Sequence, residues 1–126
     1  MSAKKILIID DEPDIREIAQ MTLETVSGWQ VLTAESGDEG ITKAKQEKPD
    51  AILLDSMMPR MDGSATFQKL QADPSTSQIP VIMFTAKVQA ADRKRFADLG
   101  AKDVIAKPFD PMKLGNQIAA ILGWSQ

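Results

Sequence analysis

Apolar residues gather along the chain into short unbroken runs: ILII at 6–9, AILL at 51–54, VIMF at 81–84 and VIA at 104–106. Unbroken runs of this length, without polar alternation, suit strands covered on both faces, as in a parallel sheet. A fifth stretch, WQVLTA at 29–34, mixes apolar and polar positions and suits an edge strand. Between the runs the spacing becomes helical. After Pro13, which suits a first helical turn, Ile15, Ile18, Ala19, Thr22, Leu23 and Val26 recur at helical intervals and form one stripe that Gly28 can end. The segment 37–48 turns Ile41 and Ala44 inward and stops at Pro49. Phe67 and Leu70 mark a short helix ahead of DPSTSQ, and 90–99 carries Phe96 and Leu99 and ends at Gly100. Leu114, Ile118, Ile121 and Leu122 line a last helix that Gly123 can cap.

Strand then helix, five times over, predicts an α/β fold with a doubly wound parallel sheet and right-handed crossovers. Five such units are too few for an eight-fold barrel. At 126 residues the chain suits one domain that buries a single core unaided. No internal repeat, low-complexity tract or linker divides it, and after Lys107 only enough residues remain for one helix and a tail. The expectation is a single domain over 1–126 with no output domain.

Composition narrows the chemistry. Hydrophobic residues at 43% and charged residues at 26% are those of an ordinary globular protein. A net charge of -3 argues against a general nucleic-acid binder, and the RKR run at 93–95 reads as a solvated helix face. The chain has no Cys and no His. That excludes thiolate or imidazole zinc sites, Ser/His/Asp and Cys/His nucleophiles, and a phosphohistidine. The opening MSAKKILIIDDE has an apolar run too short for a signal peptide, and no stretch approaches the roughly eighteen apolar residues of a membrane span. The expectation is a cytoplasmic protein without membrane insertion.

Polar residues follow the strand runs in a consistent way: Asp10 and Asp11 after ILII, Asp55 after AILL, Thr85 after VIMF and Lys107 after VIA. In a parallel sheet these ends share one edge, where open α/β sheets bind ligands. All four runs are taken here as inner strands. Three carboxylates brought together repel by about 4 kcal/mol per pair at 4 Å in an effective dielectric of about 20. A divalent cation relieves them, and hard oxygen ligands favour Mg²⁺, with Mn²⁺ as a possible substitute. Asp55, with an ordinary carboxylate pKa of about 3.9, is ionised at neutral pH and can attack a phosphoryl group without a general base. Lys107 and the Thr85 hydroxyl can then stabilise charge on the transferred group. Taken singly, each residue also has a plainer reading: Asp10 and Asp11 as an N-cap, Asp55 as the start of a turn, Thr85 and Lys107 as structural. Their joint placement favours the site. Met57, Met58 and Met61 read as apolar packing in the loop, not soft-metal ligands, and Trp29 and Trp124 as packing residues.

These residues resemble a receiver domain of the two-component response regulators, of the single-domain type typified by chemotaxis regulators. The resemblance runs from ILIIDDEPDIR through ILLDSMMPRMDG and PVIMFTA to LGAKDVIAKPF. It implies a flavodoxin-like sheet in the order 2-1-3-4-5 with five helices. It implies that Asp55 accepts a phosphoryl group from a histidine kinase or a histidine phosphotransfer protein. It further implies that Asp11 and Asp55 bind Mg²⁺ directly, with the backbone carbonyl of Met57 as a third ligand and Asp10 acting through water. Thr85 and Lys107 are then expected at the phosphoryl oxygens, the Lys107–Pro108 bond is expected cis, and Gly63 is expected to supply a positive φ. Met57 and Lys87 fall at positions that tune phosphoryl lifetime. One position departs from the family: Val104 stands where an aromatic is common, so an aromatic rotamer switch cannot operate.

The function implied is a phosphorylation-dependent signalling switch that docks onto a downstream protein target, with no direct nucleic-acid contact, as a monomer or a phosphorylation-dependent dimer. It is not an enzyme beyond its own aspartyl phosphorylation and dephosphorylation. A small phosphatase of the haloacid dehalogenase type is the enzymatic alternative, but such enzymes carry a second Asp where this chain has Met57. A receiver-like scaffold that is never phosphorylated is the other alternative, and the intact set of Asp10, Asp11, Asp55, Thr85 and Lys107 counts against it.

Overall fold

Each unbroken apolar run becomes a strand with both faces covered. In the computed structural model, which describes residues 4–58, 61–86 and 88–124, these are β1 (Lys5–Ile9), β3 (Ala51–Leu54), β4 (Val81–Thr85) and β5 (Asp103–Ala106). The mixed stretch becomes β2 (Gln30–Ala34). All pairings are parallel and the order is β2-β1-β3-β4-β5, as the resemblance implied. One expectation is corrected: β5 is an edge strand like β2, so only β1, β3 and β4 are flanked on both sides. The first residue of β5, Asp103, is accordingly exposed.

Helices α1 (Pro13–Val26), α2 (Gly37–Glu47), α3 (Gly63–Ala72), α4 (Ala90–Leu99) and α5 (Leu114–Leu122) cover the two faces. The period of two along each strand sorts the core. Ile6, Ile8, Leu53, Ile82, Phe84 and Ile105 pack with Ala19 and Leu23 of α1 and Leu114 and Ile118 of α5. Leu7, Ile9, Ile52, Leu54, Met83 and Val104 pack with Ala44 of α2, Phe67 and Leu70 of α3 and Phe96 of α4. Full burial of each large side chain contributes about 1.5–3 kcal/mol, and this holds the layers together.

The stripe on α1 is narrower than its spacing suggested. Ala19 and Leu23 are buried and Ile15 packs partly, whereas Ile18 is 39% and Val26 49% exposed. The helix lies on the sheet along one line of contact, so residues flanking that line remain at its solvent edge. Helix ends follow the local chemistry. The Ser36 hydroxyl accepts from the Glu39 N–H and the Asp62 carboxylate from the Ala65 N–H, while Gly100 and Gly123 close α4 and α5 in the left-handed region. Trp29 and Trp124 stack edge to face at 5.4 Å, as packing residues. Arg93, Lys94 and Arg95 lie exposed on α4 and pair with Asp103, Asp98 and Asp92. Among the described residues, no helix is long and apolar enough to cross a membrane.

Candidate functional site

The sheet's own hydrogen bonds carry the key residues just past the strand ends. The Asp55 N–H donates to Ile9 O at 2.9 Å, the Asp10 N–H to Ala34 O at 3.0 Å, and the Lys107 N–H to Thr85 O at 3.0 Å. The ladder therefore holds three backbones in register while their side chains turn into one crevice. Asp10 is fully buried and Asp55 is 3% exposed. The Lys107 Nζ lies 2.5 Å from Asp10 Oδ2, 3.3 Å from Glu12 Oε1 and 3.7 Å from Asp55 Oδ1. Residues 97 positions apart in sequence thus form one ion-paired cluster.

Other groups complete the cluster. The Glu12 N–H donates to Asp10 Oδ1 at 2.9 Å, and the Met57 N–H to Asp55 Oδ1 at 3.1 Å. Arg16 donates through Nη1 to the Asp10 carbonyl at 2.7 Å, which ties α1 to the end of β1. Carboxylate oxygens of Asp10, Asp11, Glu12 and Asp55 lie within 4.8 Å of one another. This donor set consists of hard oxygens, which fits Mg²⁺ far better than zinc or copper.

The electrostatics follow from burial and crowding. Burial pushes the Asp55 carboxyl up from 3.8 to about 6, against the Met57 N–H and Lys107, and the charges of Asp10 and Asp11 add to the rise. Asp10 is likewise raised, chiefly by burial, with Lys107 and the Glu12 N–H opposing it. Burial alone would lower Lys107, but its bond to Asp10 and the charges of Asp10 and Asp55 outweigh this and raise it. One ammonium shared among several carboxylates leaves the crevice short of positive charge. A divalent cation would relieve that shortage.

The geometry decides several expectations and corrects those for Gly63 and Met57. The N-cap of α1 is Glu12, without a side-chain cap bond, so Asp10 and Asp11 do not cap the helix and Asp10 faces Lys107. Gly63 has no positive φ. It is required for close approach, because a Cβ there would lie 2.3 Å from the Asp55 carbonyl oxygen and 2.6 Å from Ser56 Cα. Met58 is buried as loop packing, but Met57 is 57% exposed beside Asp55. The Lys107–Pro108 bond is cis, as implied. Val104 sits in the core facing α4, among Met83 and Phe96. Lys87 lies outside the described residues.

Thr85 is the last residue of β4 and is fully buried. Its hydroxyl lies 2.6 Å from that of Ser56, which is itself 8% exposed. Ser56, Glu12 and Arg16 belong to this neighbourhood and were passed over by the sequence reading. For two of them the signals were there: Glu12 is the third acid of the DDE run, and Ser56 directly follows Asp55.

The family described as response regulator receiver domain matches residues 6–119. The alkaline phosphatase synthesis transcriptional regulatory protein PhoP of Bacillus subtilis is 41% identical over 98% of this chain and 50% of its own length. The chain spans about half the length of the curated relatives it matches, from 45% to 53% among those most similar. Among solved structures, the chemotaxis protein CheY4 of Vibrio cholerae superposes with a TM-score of 0.89 at 28% identity, covering 95% of this chain and 99% of that one. The receiver domain of the sensor histidine kinase PA1611 from Pseudomonas aeruginosa, solved with a magnesium ion coordinated in its active-site cleft, gives 0.84 at 26% identity, covering 97% and 99%.

Proposed function

Because this chain belongs to the response regulator receiver domain family, we propose that it is a phosphorylation-dependent switch in which Asp55 takes a phosphoryl group from the phosphohistidine of a kinase or phosphotransfer partner. Receiver domains are signalling domains, and we assign residues 1–126 to one such unit that passes its signal on by docking to a protein target. The observation that carries the reading is the Lys107 ammonium, held 2.5 Å from Asp10 and 3.7 Å from Asp55 at the carboxyl edge of the sheet.

Asp55 Oδ1 is engaged by the Met57 N–H and faces Lys107, which leaves Oδ2 as the attacking atom. The Oδ2–phosphorus bond forms as the phosphorus–nitrogen bond of the donor imidazole breaks, and the electron pair stays on that nitrogen. Lys107 stabilises the negative charge on the phosphoryl oxygens, the Thr85 hydroxyl donates to one of them, and the Asp10 carboxylate keeps the ammonium aimed at the crevice. Asp11, Asp55 and the Met57 carbonyl would hold Mg²⁺, with Asp10 acting through water. When bound, the ion supplies charge neutralisation among the carboxylates and for the incoming phosphoryl group. Burial raises the Asp55 carboxyl only to about 6, so at neutral pH most of it is ionised and can attack without a general base.

The test is incubation with Mg²⁺ and phosphoramidate or acetyl phosphate, followed by intact mass measurement. One added phosphoryl group, absent from Asp55→Asn and from samples with excess EDTA, is the expected result. No addition with either donor refutes the reading, as does addition that persists in Asp55→Asn.

A further inference from the structure

Thr85 is expected to donate its hydroxyl to the phosphoryl group, yet that hydroxyl is already shared with a neighbour. The Ser56 and Thr85 oxygens are 2.6 Å apart, and both residues are buried. Parallel register explains the meeting. Leu54 pairs with Met83, so two residues further on Ser56 comes abreast of Thr85. Strand alternation puts both on the face opposite to Leu53 and Phe84, that of α3 and α4. Asp55, one residue before Ser56, turns instead toward Lys107. A hydroxyl lying against Ser56 must therefore swing about its side-chain bond, between staggered rotamers, to meet a phosphoryl group on Asp55.

Resting on the phosphorylation reading above, we propose that Ser56 is a positioning residue that holds the Thr85 hydroxyl in the unphosphorylated chain and so sets how tightly the site accepts a phosphoryl group. Either hydroxyl can donate in this pair; in both cases, moving the Thr85 oxygen to a charged phosphoryl oxygen, the stronger acceptor, separates it from Ser56. The Ser56 bond belongs to the unmodified state and opposes the modified one. Removing it raises the free energy of the unmodified state, because one buried hydrogen bond of that state is lost, and leaves the modified state little changed. The pair is thus a two-position hydrogen bond in a chain where Val104 cannot provide an aromatic switch. Gly63 reinforces it, since α3 begins against the backbone of Asp55 and Ser56 and limits how Ser56 can yield.

The test measures affinity for beryllofluoride, a phosphoryl mimic, in the presence of Mg²⁺ by calorimetric titration of the full chain and three variants. Ser56→Ala and Ser56→Val remove the hydroxyl, whereas Ser56→Thr keeps it at the same size as Val. The expected result is binding about 3- to 10-fold tighter for Ala and Val and within about 2-fold of wild type for Thr. Unchanged or weaker binding by Ala, or equal affinities for Val and Thr, overturns the assignment while leaving phosphorylation of Asp55 intact. Failure of the wild type to bind beryllofluoride at all overturns the phosphorylation reading and this one with it.

Discussion

Asp55 is held at the rim of the core at a cost, and the cost is large enough to measure. It is 3% exposed, and its pKa is pushed from 3.8 to about 6, first by burial and then by the neighbouring acids. For an acid whose pKa is raised on folding, the native chain holds the proton more tightly than the unfolded chain. Its contribution to stability is complete below pH 3.8 and is lost as pH rises through about 6. At about 1.36 kcal/mol per pH unit, a rise from 3.8 to about 6 corresponds to about 3 kcal/mol lost at pH 8. Asp55→Asn removes the charge without removing the shape, and also deprives Lys107 of one partner, which offsets part of the gain. The net expectation in EDTA at pH 8 is stabilisation by about 1–3 kcal/mol, or a Tm higher by about 4–11 °C for a chain of this length. The assay is urea and thermal unfolding of both proteins at pH 8 and pH 5, where the difference should shrink. Excess Mg²⁺ should narrow it at pH 8, because the wild type gains more from the ion than the variant does. An Asn variant no more stable than wild type at pH 8 without metal, or a difference that grows at pH 5, would refute the electrostatic account.

Further outcomes follow from the same geometry. Lys107→Ala strips the ammonium from Asp10, Glu12 and Asp55. It should lower stability in EDTA by about 2–4 kcal/mol, as removal of one partner of a buried pair does, and by clearly less in excess Mg²⁺, as read by urea midpoints. Gly63→Ala forces a methyl to within 2.3 Å of the Asp55 carbonyl oxygen; a loss of about 1–3 kcal/mol and slower labelling by phosphoramidate are expected, checked by unfolding and intact mass. Val104→Tyr should cost no more than about 1–3 kcal/mol, because a groove of about 210 Å³ lined by Arg93, Phe96, Ala97 and Lys102 lies beside Val104. A large destabilisation in thermal unfolding would show that the groove cannot accept a ring.

Much of this molecule was legible before any fold was drawn. Unbroken runs such as ILII and AILL can only be sheltered on both faces, so they specified a parallel sheet, and the helical spacing between them supplied its covering layers. The five strand-end residues could be named for the same reason, since a parallel sheet delivers every carboxyl end to one edge. Local residue type alone could not decide where neighbours distant in sequence do. Asp10 is a favourable N-cap by type, but Lys107, arriving from β5, claims its carboxylate. Gly63 suits a turn by type, but the backbone of Asp55 crosses where its side chain would be.

The pattern along the chain thus determined the fold and the kind of chemistry, because periodicity and residue type are local properties that survive without coordinates. Only the tertiary structure decided who partners whom: Lys107 with Asp10, Ser56 with Thr85, Met57 turned outward while Met58 turned in. Those choices depend on strand register and on distances of a few ångströms between segments far apart in sequence, and hydrogen bonds and ion pairs fall away steeply over such distances.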